Sequence, residues 1–147
     1  MPKGNSVYRL DIVRRRIAGS GPPAVVRRSA DIYRLFRQHF AEADREHCYV
    51  ALLDHQNRLI GFNLVAIGSV EATAVKPREI LKAVVLGNAS ACIVLHNHPG
   101  GDATPSADDI AFTRRLTELM ECLGVPLLDH IIFGDDSYSS LADMRLV

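Results

Sequence analysis

The chain lacks several features that would fix its class at once. It has no C-x-x-C pair. Its three cysteines, Cys48, Cys92 and Cys122, are widely spaced and odd in number, which argues against a disulfide framework. Cys48 and Cys92 lie inside apolar runs and read as core thiols, so a reducing, cytoplasmic compartment is expected. There is no excess of charge: 17 basic residues face 17 acidic ones. A protein built mainly to coat nucleic acid is usually basic, so that class loses ground. No apolar stretch approaches the roughly 18–20 residues that span a bilayer, and the N-terminus MPKGNSVYRLDIVRRR has no apolar signal core. Secretion and membrane insertion are not expected. No internal repeat or low-complexity segment is visible.

What is present suits one globular domain: 147 residues, 48% of them hydrophobic and 23% charged. Val7–Val13 reads as a first strand and GSGPPA, residues 19–24, as a connector. Ser29 precedes a helix over Ala30–Ala43, with Ile32, Leu35, Phe36 and Phe40 at helical spacing. CYVALLD and RLIGFNLVAIG flank the turn residues His55–Asn57 and predict a β-hairpin. KPREILKAVVLGNA predicts a helix with Pro77 in its first turn and Ile80, Leu81, Val84 and Val85 on one face. Ala91–His98 is too short and too β-branched for a helix and reads as a buried strand. A helix follows over Ser106–Leu123, with Ile110, Phe112, Leu116, Leu119 and Met120 as its apolar positions and Gly124 as its stop. A closing strand pair from His130 and Ser137 surrounds a GDD turn. The order predicts an α/β (α+β) domain with a mixed central sheet packed by helices.

The chemistry concentrates in LHNHPGGDATPSADD, residues 95–109. A strand sends residues i and i+2 to the same face, so His96 and His98 share one side at a strand end. Two imidazoles and one carboxylate suit Zn2+ and leave a fourth position for water. Asp102, Asp108 and Asp109 are the nearby carboxylates. Asp102 lies in a turn where Asp is common for turn geometry alone. Ser106 and Asp109 form an S-x-x-D capping box, which accounts for both residues without any catalysis. The coincidence of H-x-H and S-x-x-D across one tight loop points instead to a metal site.

H-x-H, seven residues, then S-x-x-D resembles the JAMM (MPN+) metalloprotease motif, complete here as His96, His98, Ser106 and Asp109. HNHPGGDATPSADDI, KPREILKAV and LLDHIIFGDDSYSSL resemble the RadC-type branch, in order, over nearly the whole chain from Val7. The resemblance implies a single MPN/JAMM domain with cytidine-deaminase-like architecture over residues 1–147. In it, 1–29 would be the N-terminal strand and connector, with no helix-hairpin-helix segment. It also implies that His96, His98 and Asp109 ligate Zn2+, that Ser106 hydrogen-bonds the developing oxyanion, and that an upstream Glu is the general base. DREHCYVALLD places that base at Glu46, with Glu42 as the fallback. The usual RadC-type loop reads H-N-H-P-S-G, whereas position 100 here is Gly, which predicts altered loop flexibility with the ligands intact.

The expected function is therefore a zinc-dependent hydrolase of peptide or isopeptide bonds, with a peptide or protein as substrate. The alternative is a DNA-repair-associated or nucleic-acid-associated accessory protein with a structural or vestigial metal site. Arg14–Arg16, Arg27–Arg28 and Arg114–Arg115 would serve a nucleic acid only if they converged. HNH nucleases share letters but not spacing. The metallo-β-lactamase pattern H-x-H-x-D-H fails at Gly100 and Gly101, and the deaminase P-C-x-x-C block is missing. His130 is expected to support a ligand rather than be one. His39, His47 and His55 read as surface or packing residues.

Overall fold

A computed structural model describes residues 7–11, 13–68 and 75–147. Eight elements follow in order: α1 (Ser29–Phe40), β1 (His47–Leu53), β2 (Leu59–Ile67), α2 (Pro77–Leu86), β3 (Ala91–Asn97), α3 (Ala107–Leu123), β4 (Leu127–Phe133) and β5 (Tyr138–Ser140). The strands form one mixed sheet in the order β2-β1-β3-β4-β5. β1 pairs antiparallel with β2 and β3, while β3 and β4 run parallel, joined by the crossover through α3.

The period-2 alternation of β1 and β3 builds two cores, one on each face of the sheet. Ala51, Leu53, Ile93 and Leu95 meet Ile32, Phe36 and Phe40 of α1. Cys48, Val50, Leu52, Cys92 and Val94 meet Ile80 and Val84 of α2 and Leu116 and Met120 of α3. Every residue of β3 is buried, as expected for a central strand covered by helices on both faces. Even-numbered residues of β3 therefore face α2 and α3, and odd-numbered ones face α1.

Local chemistry explains the boundaries. The hairpin turn forms because Asp54 Oδ1 accepts from the N–H groups of Gln56 and Arg58, both at 2.9 Å, while Asn57 takes φ 57°. Ser106 is the N-cap of α3: its hydroxyl accepts from Asp109 N–H at 3.0 Å, and Asp109 Oδ2 accepts from Ser106 N–H at 2.8 Å. Gly124, at φ 79°, closes the helix in the left-handed region.

Some expectations are corrected. The strand over Val7–Val13 does not form: none of residues 7–11 and 13 is in a strand, and Val7 and Leu10 are 99% and 94% exposed. An alternating segment becomes a strand only where an edge accepts it. The chain pairs instead further along the expected connector, where Leu59 N–H donates to the Ala24 carbonyl and Val26 N–H to the Asn57 carbonyl, both at 2.8 Å. Ser29 does not precede α1 but opens it, because its hydroxyl is drawn to Asp143 Oδ2 at 2.5 Å. Asp31 supplies the capping acceptor, at 2.9 Å from Arg27 N–H and 3.1 Å from Arg28 N–H. Leu35 and Val85 lie on the exposed sides of α1 and α2.

Cys48 and Cys92 are buried and Cys122 is exposed. Among the described residues, no helix is long and apolar enough to cross a membrane. The arginine runs have scattered partners: Arg14 donates to the Gly87 carbonyl, Arg28 faces Asp31, and Arg114 donates to the Leu146 carbonyl.

Candidate metal centre

The β1–β3 register assembles the site. Cys48 lies opposite His96 in that ladder. Glu46, just before β1, and His98, just after β3, each lie two residues past that pair, beyond the end of the ladder. Donor atoms of Glu46, His96 and His98 all lie within 4.8 Å of one another, so this group could hold a metal ion. Asp109 reaches the same point from the first turn of α3. Its Oδ1 lies 3.3 Å from His96 Nε2 and its Oδ2 3.1 Å from His98 Nε2. The two Nε2 atoms are 3.1 Å apart.

These separations test the donor set. Zn–N and Zn–O bonds of about 2.0–2.1 Å at tetrahedral angles put ligand atoms about 3.3 Å apart. The two Nε2 atoms, and each with the Asp109 oxygen that faces it, already stand close to that spacing. The tautomers fit as well. His98 Nδ1 bonds the Asp102 carbonyl at 2.8 Å, and a carbonyl only accepts, so Nδ1 carries hydrogen and Nε2 of the neutral ring is a free donor pair. His96 Nδ1 lies 2.6 Å from His130 Nε2, and His130 Nδ1 lies 2.6 Å from Thr113 Oγ1. The Thr113 hydroxyl donates to the Asp109 carbonyl at 2.6 Å. With that proton committed, His130 Nδ1–H donates to Thr113, His130 Nε2 accepts from His96, and His96 Nε2 is left for an ion. The chain from His96 ends on the backbone of Asp109, so β3 and α3 brace one another through His130 and Thr113.

Facing Asp109, the same rings act as hydrogen-bond donors, a role that an ion at this point would replace. Burial opposes ionisation of Asp109, but hydrogen bonds from His96 and His98, the charge of His96 and the Ser106 N–H outweigh it and hold the carboxyl well below the usual range. The hydrogen bond to Asp109 raises His98 against the opposing effect of burial. Burial, then the charge of His96, pushes His130 far down, so it is a neutral imidazole as the tautomer chain requires. Burial raises Cys48 to about 12, leaving a thiol in the wall of the site.

Glu46, Cys48, Val75, His96, Asp108, Asp109, Phe112 and His130 line a cleft of about 270 Å³ over these groups. Of the residues predicted for the site, Glu46, His96, His98 and Asp109 come together, and His130 lies directly behind His96. Ser106 adjoins Asp109 as its helix cap and does not line the cleft. Glu42 is exposed beyond the end of α1, beside Gln38, His39, His47 and Tyr49. Gly100 leaves open space where a side chain would stand, so the departure from Ser at that position costs no contact. Sequence reasoning missed Thr113 and Asn97. Thr113 is fully buried on α3, and a polar residue among apolar helical positions was its only signal.

The family model of the RadC-like JAB domain matches residues 26–146. A UPF0758 protein of Desulfitobacterium hafniense is 40% identical over 135 residues, 90% of this chain and 60% of the relative. A UPF0758 protein of Moorella thermoacetica is 37% identical over 138 residues, 94% of this chain and 60% of the relative. One from Coprothermobacter proteolyticus is 43% identical over 114 residues, 78% of this chain and 48% of the relative. The chain thus spans about half to three fifths of the length of these relatives. Matched over most of its length and carrying the histidine pair and helix-start acid together, the chain belongs to the RadC-like JAB domain family.

Proposed function

We propose that this domain is a zinc-dependent hydrolase of peptide or isopeptide bonds. One observation carries the reading: His96, His98 and Asp109 stand at tetrahedral ligand spacing, with the Glu46 carboxylate beside them in a cleft. His96, His98 and Asp109 would hold the ion. A bound zinc ion supplies Lewis acidity toward a carbonyl and acidifies water toward neutrality. The chain's own residues do the rest. Glu46 takes the proton of the attacking water and returns it to the leaving amine. The Ser106 hydroxyl accepts from Asp109 N–H, so its own hydrogen is left to donate to an oxygen that gains charge near the α3 N-terminus. Phe112, Val75 and Cys48 give the cleft an apolar wall that limits water around that proton transfer.

The test has two parts. Elemental analysis of a reducing preparation should find about one zinc ion per chain, as for a single-ion site. Quenched fluorescent peptide and isopeptide libraries should then be cleaved by the native protein and not by Glu46→Gln or His98→Ala. A preparation that takes up no zinc when zinc is supplied overturns the proposal.

A further inference from the structure

Asn97 stands between the two histidines on β3, on the opposite face of the strand. It is 4% exposed, and its side chain turns toward the segment that carries Glu46. Asn97 Oδ1 accepts from the His47 N–H at 2.7 Å, and Asn97 Nδ2 donates to the Arg45 carbonyl at 3.1 Å. The chemistry allows only this orientation of the amide, because an N–H needs the oxygen and a carbonyl needs the NH2 group. One planar group therefore brackets the peptide units on either side of Glu46. A third bond holds the residue itself: Gly68 N–H, just past β2, donates to the Glu46 carbonyl at 2.9 Å. The β1–β3 ladder ends at the Cys48–His96 pair, so Glu46 lies beyond regular pairing. Asn97 continues the connection with a side chain where backbone pairing stops.

We propose that Asn97 is the positioning residue for Glu46, fixing how far its carboxylate reaches over His96 and His98. This rests on the reading of Glu46 as the proton shuttle of a metal site. The arrangement refers the shuttle to the end of β3, which carries His96 and leads directly into His98. The distance between base and histidines is then set by the consecutive residues 96–98 and not by the loop after α1. Sites of this kind work when their groups are held within about 0.5 Å, and a 1 Å displacement can cost about a hundredfold in rate. Neither short replacement reproduces the clamp. Serine is too short to reach both backbone groups, and aspartate presents an acceptor to the Arg45 carbonyl.

The test is a double-mutant cycle read by kcat/KM for peptide hydrolysis by the zinc-loaded full chain. Asn97→Ser should lower kcat/KM about a hundredfold, the cost of a displaced group, while zinc affinity by chelator competition stays within about threefold because the ligands keep their places. In a Glu46→Gln background the same change should lower the residual rate by less than about twofold, since the group it positions is already lost. Asn97→Asp, closer in shape, should repeat the pattern and serves if the serine variant folds poorly. Hydrogen exchange supplies an independent readout: the His47 amide should lose protection while Val50 and Leu52 in β1 keep theirs. Equal losses of hydrolysis in both backgrounds, or uniform loss of protection along β1, would overturn the inference in favour of general packing. If Glu46→Gln alone leaves hydrolysis unchanged, the assignment of Glu46 falls and this inference with it. That outcome needs no Asn97 variant, so the two failures are told apart.

Discussion

Asp109 is where capping and metal binding make different predictions, and Asp109→Asn separates them. The substitution keeps shape and an oxygen acceptor for Ser106 N–H, now 2.8 Å away, but removes the charge facing His96 and His98. As an N3 residue, Asp109 interacts with the α3 dipole, and losing that charge costs about 0.3–1 kcal/mol. As a ligand it matters far more. Four-donor zinc sites bind with about 10–16 kcal/mol, so an equal share is about 2.5–4 kcal/mol per donor. That is roughly a hundred- to a thousandfold in affinity, at about 1.4 kcal/mol per tenfold. Zinc affinity by chelator competition and urea unfolding of the chelator-treated protein measure the two effects separately. The acid limb adds a signed check. The folded carboxyl lies below its unfolded value, so it stabilises the metal-free fold above the unfolded value, and that contribution is lost as pH falls. The Asn variant should lose this acid dependence. A variant that loses about 1 kcal/mol of stability yet keeps full zinc affinity would show that Asp109 only caps its helix.

Five further outcomes are expected. Ser106→Ala should cost about 1 kcal/mol as a lost N-cap, leave zinc affinity within about twofold, and lower hydrolysis about 10²–10³-fold. His130→Phe should weaken zinc about 10–100-fold by freeing the His96 ring, measured by the same competition. Gly100→Ala should be neutral in urea unfolding, since an added Cβ meets nothing. Gly134→Ala should cost about 1–3 kcal/mol, because its Cβ would run into the Gly101 carbonyl oxygen. Asp129 is raised by burial against hydrogen bonds from Ser140, Ala142 and His130. Because its folded value lies above the unfolded one, its contribution is full below the unfolded value and is lost as pH rises through the folded value. Asp129→Asn can keep the bonds from His130 and Ala142 and donate to the Ser140 hydroxyl, so its stability relative to the parent should climb in urea titrations as pH rises above the unfolded carboxyl value.

Particular residues show what the sequence could and could not disclose. The run Ala91–Asn97 revealed a central strand because burial on both faces demands unbroken apolar character. His96 and His98 were legible as a pair because i and i+2 share a face by strand geometry alone. Ser106 and Asp109 were legible because the helix cap and the acid facing the histidine pair use the same letters. Glu46 needed the resemblance, since its place beside His98 follows from β1 pairing with β3, a partner that is not its hairpin neighbour. Asn97 and Thr113 were illegible for the same reason: their partners are 50 and 17 residues away, at distances that no local spacing encodes. Val7–Val13 failed in the other direction. Its pattern suited a strand, but a pattern cannot report whether an edge receives it.

The parallel pairing of β3 with β4 bears on the order in which the molecule comes together. Parallel neighbours require a crossover, and here the crossover includes the histidine loop and α3. Glu46, the histidine pair, Asp109 and His130 therefore converge only after β1 has docked on β3 and the chain has travelled through α3 into β4. Contacts this distant in sequence form late and slowly. Only His96 and His98 are neighbours in the unfolded chain, too few donors to template the rest. A metal ion bound in this architecture would arrive at a completed fold and would not nucleate one. Its affinity would thus report on the closure of the whole sheet.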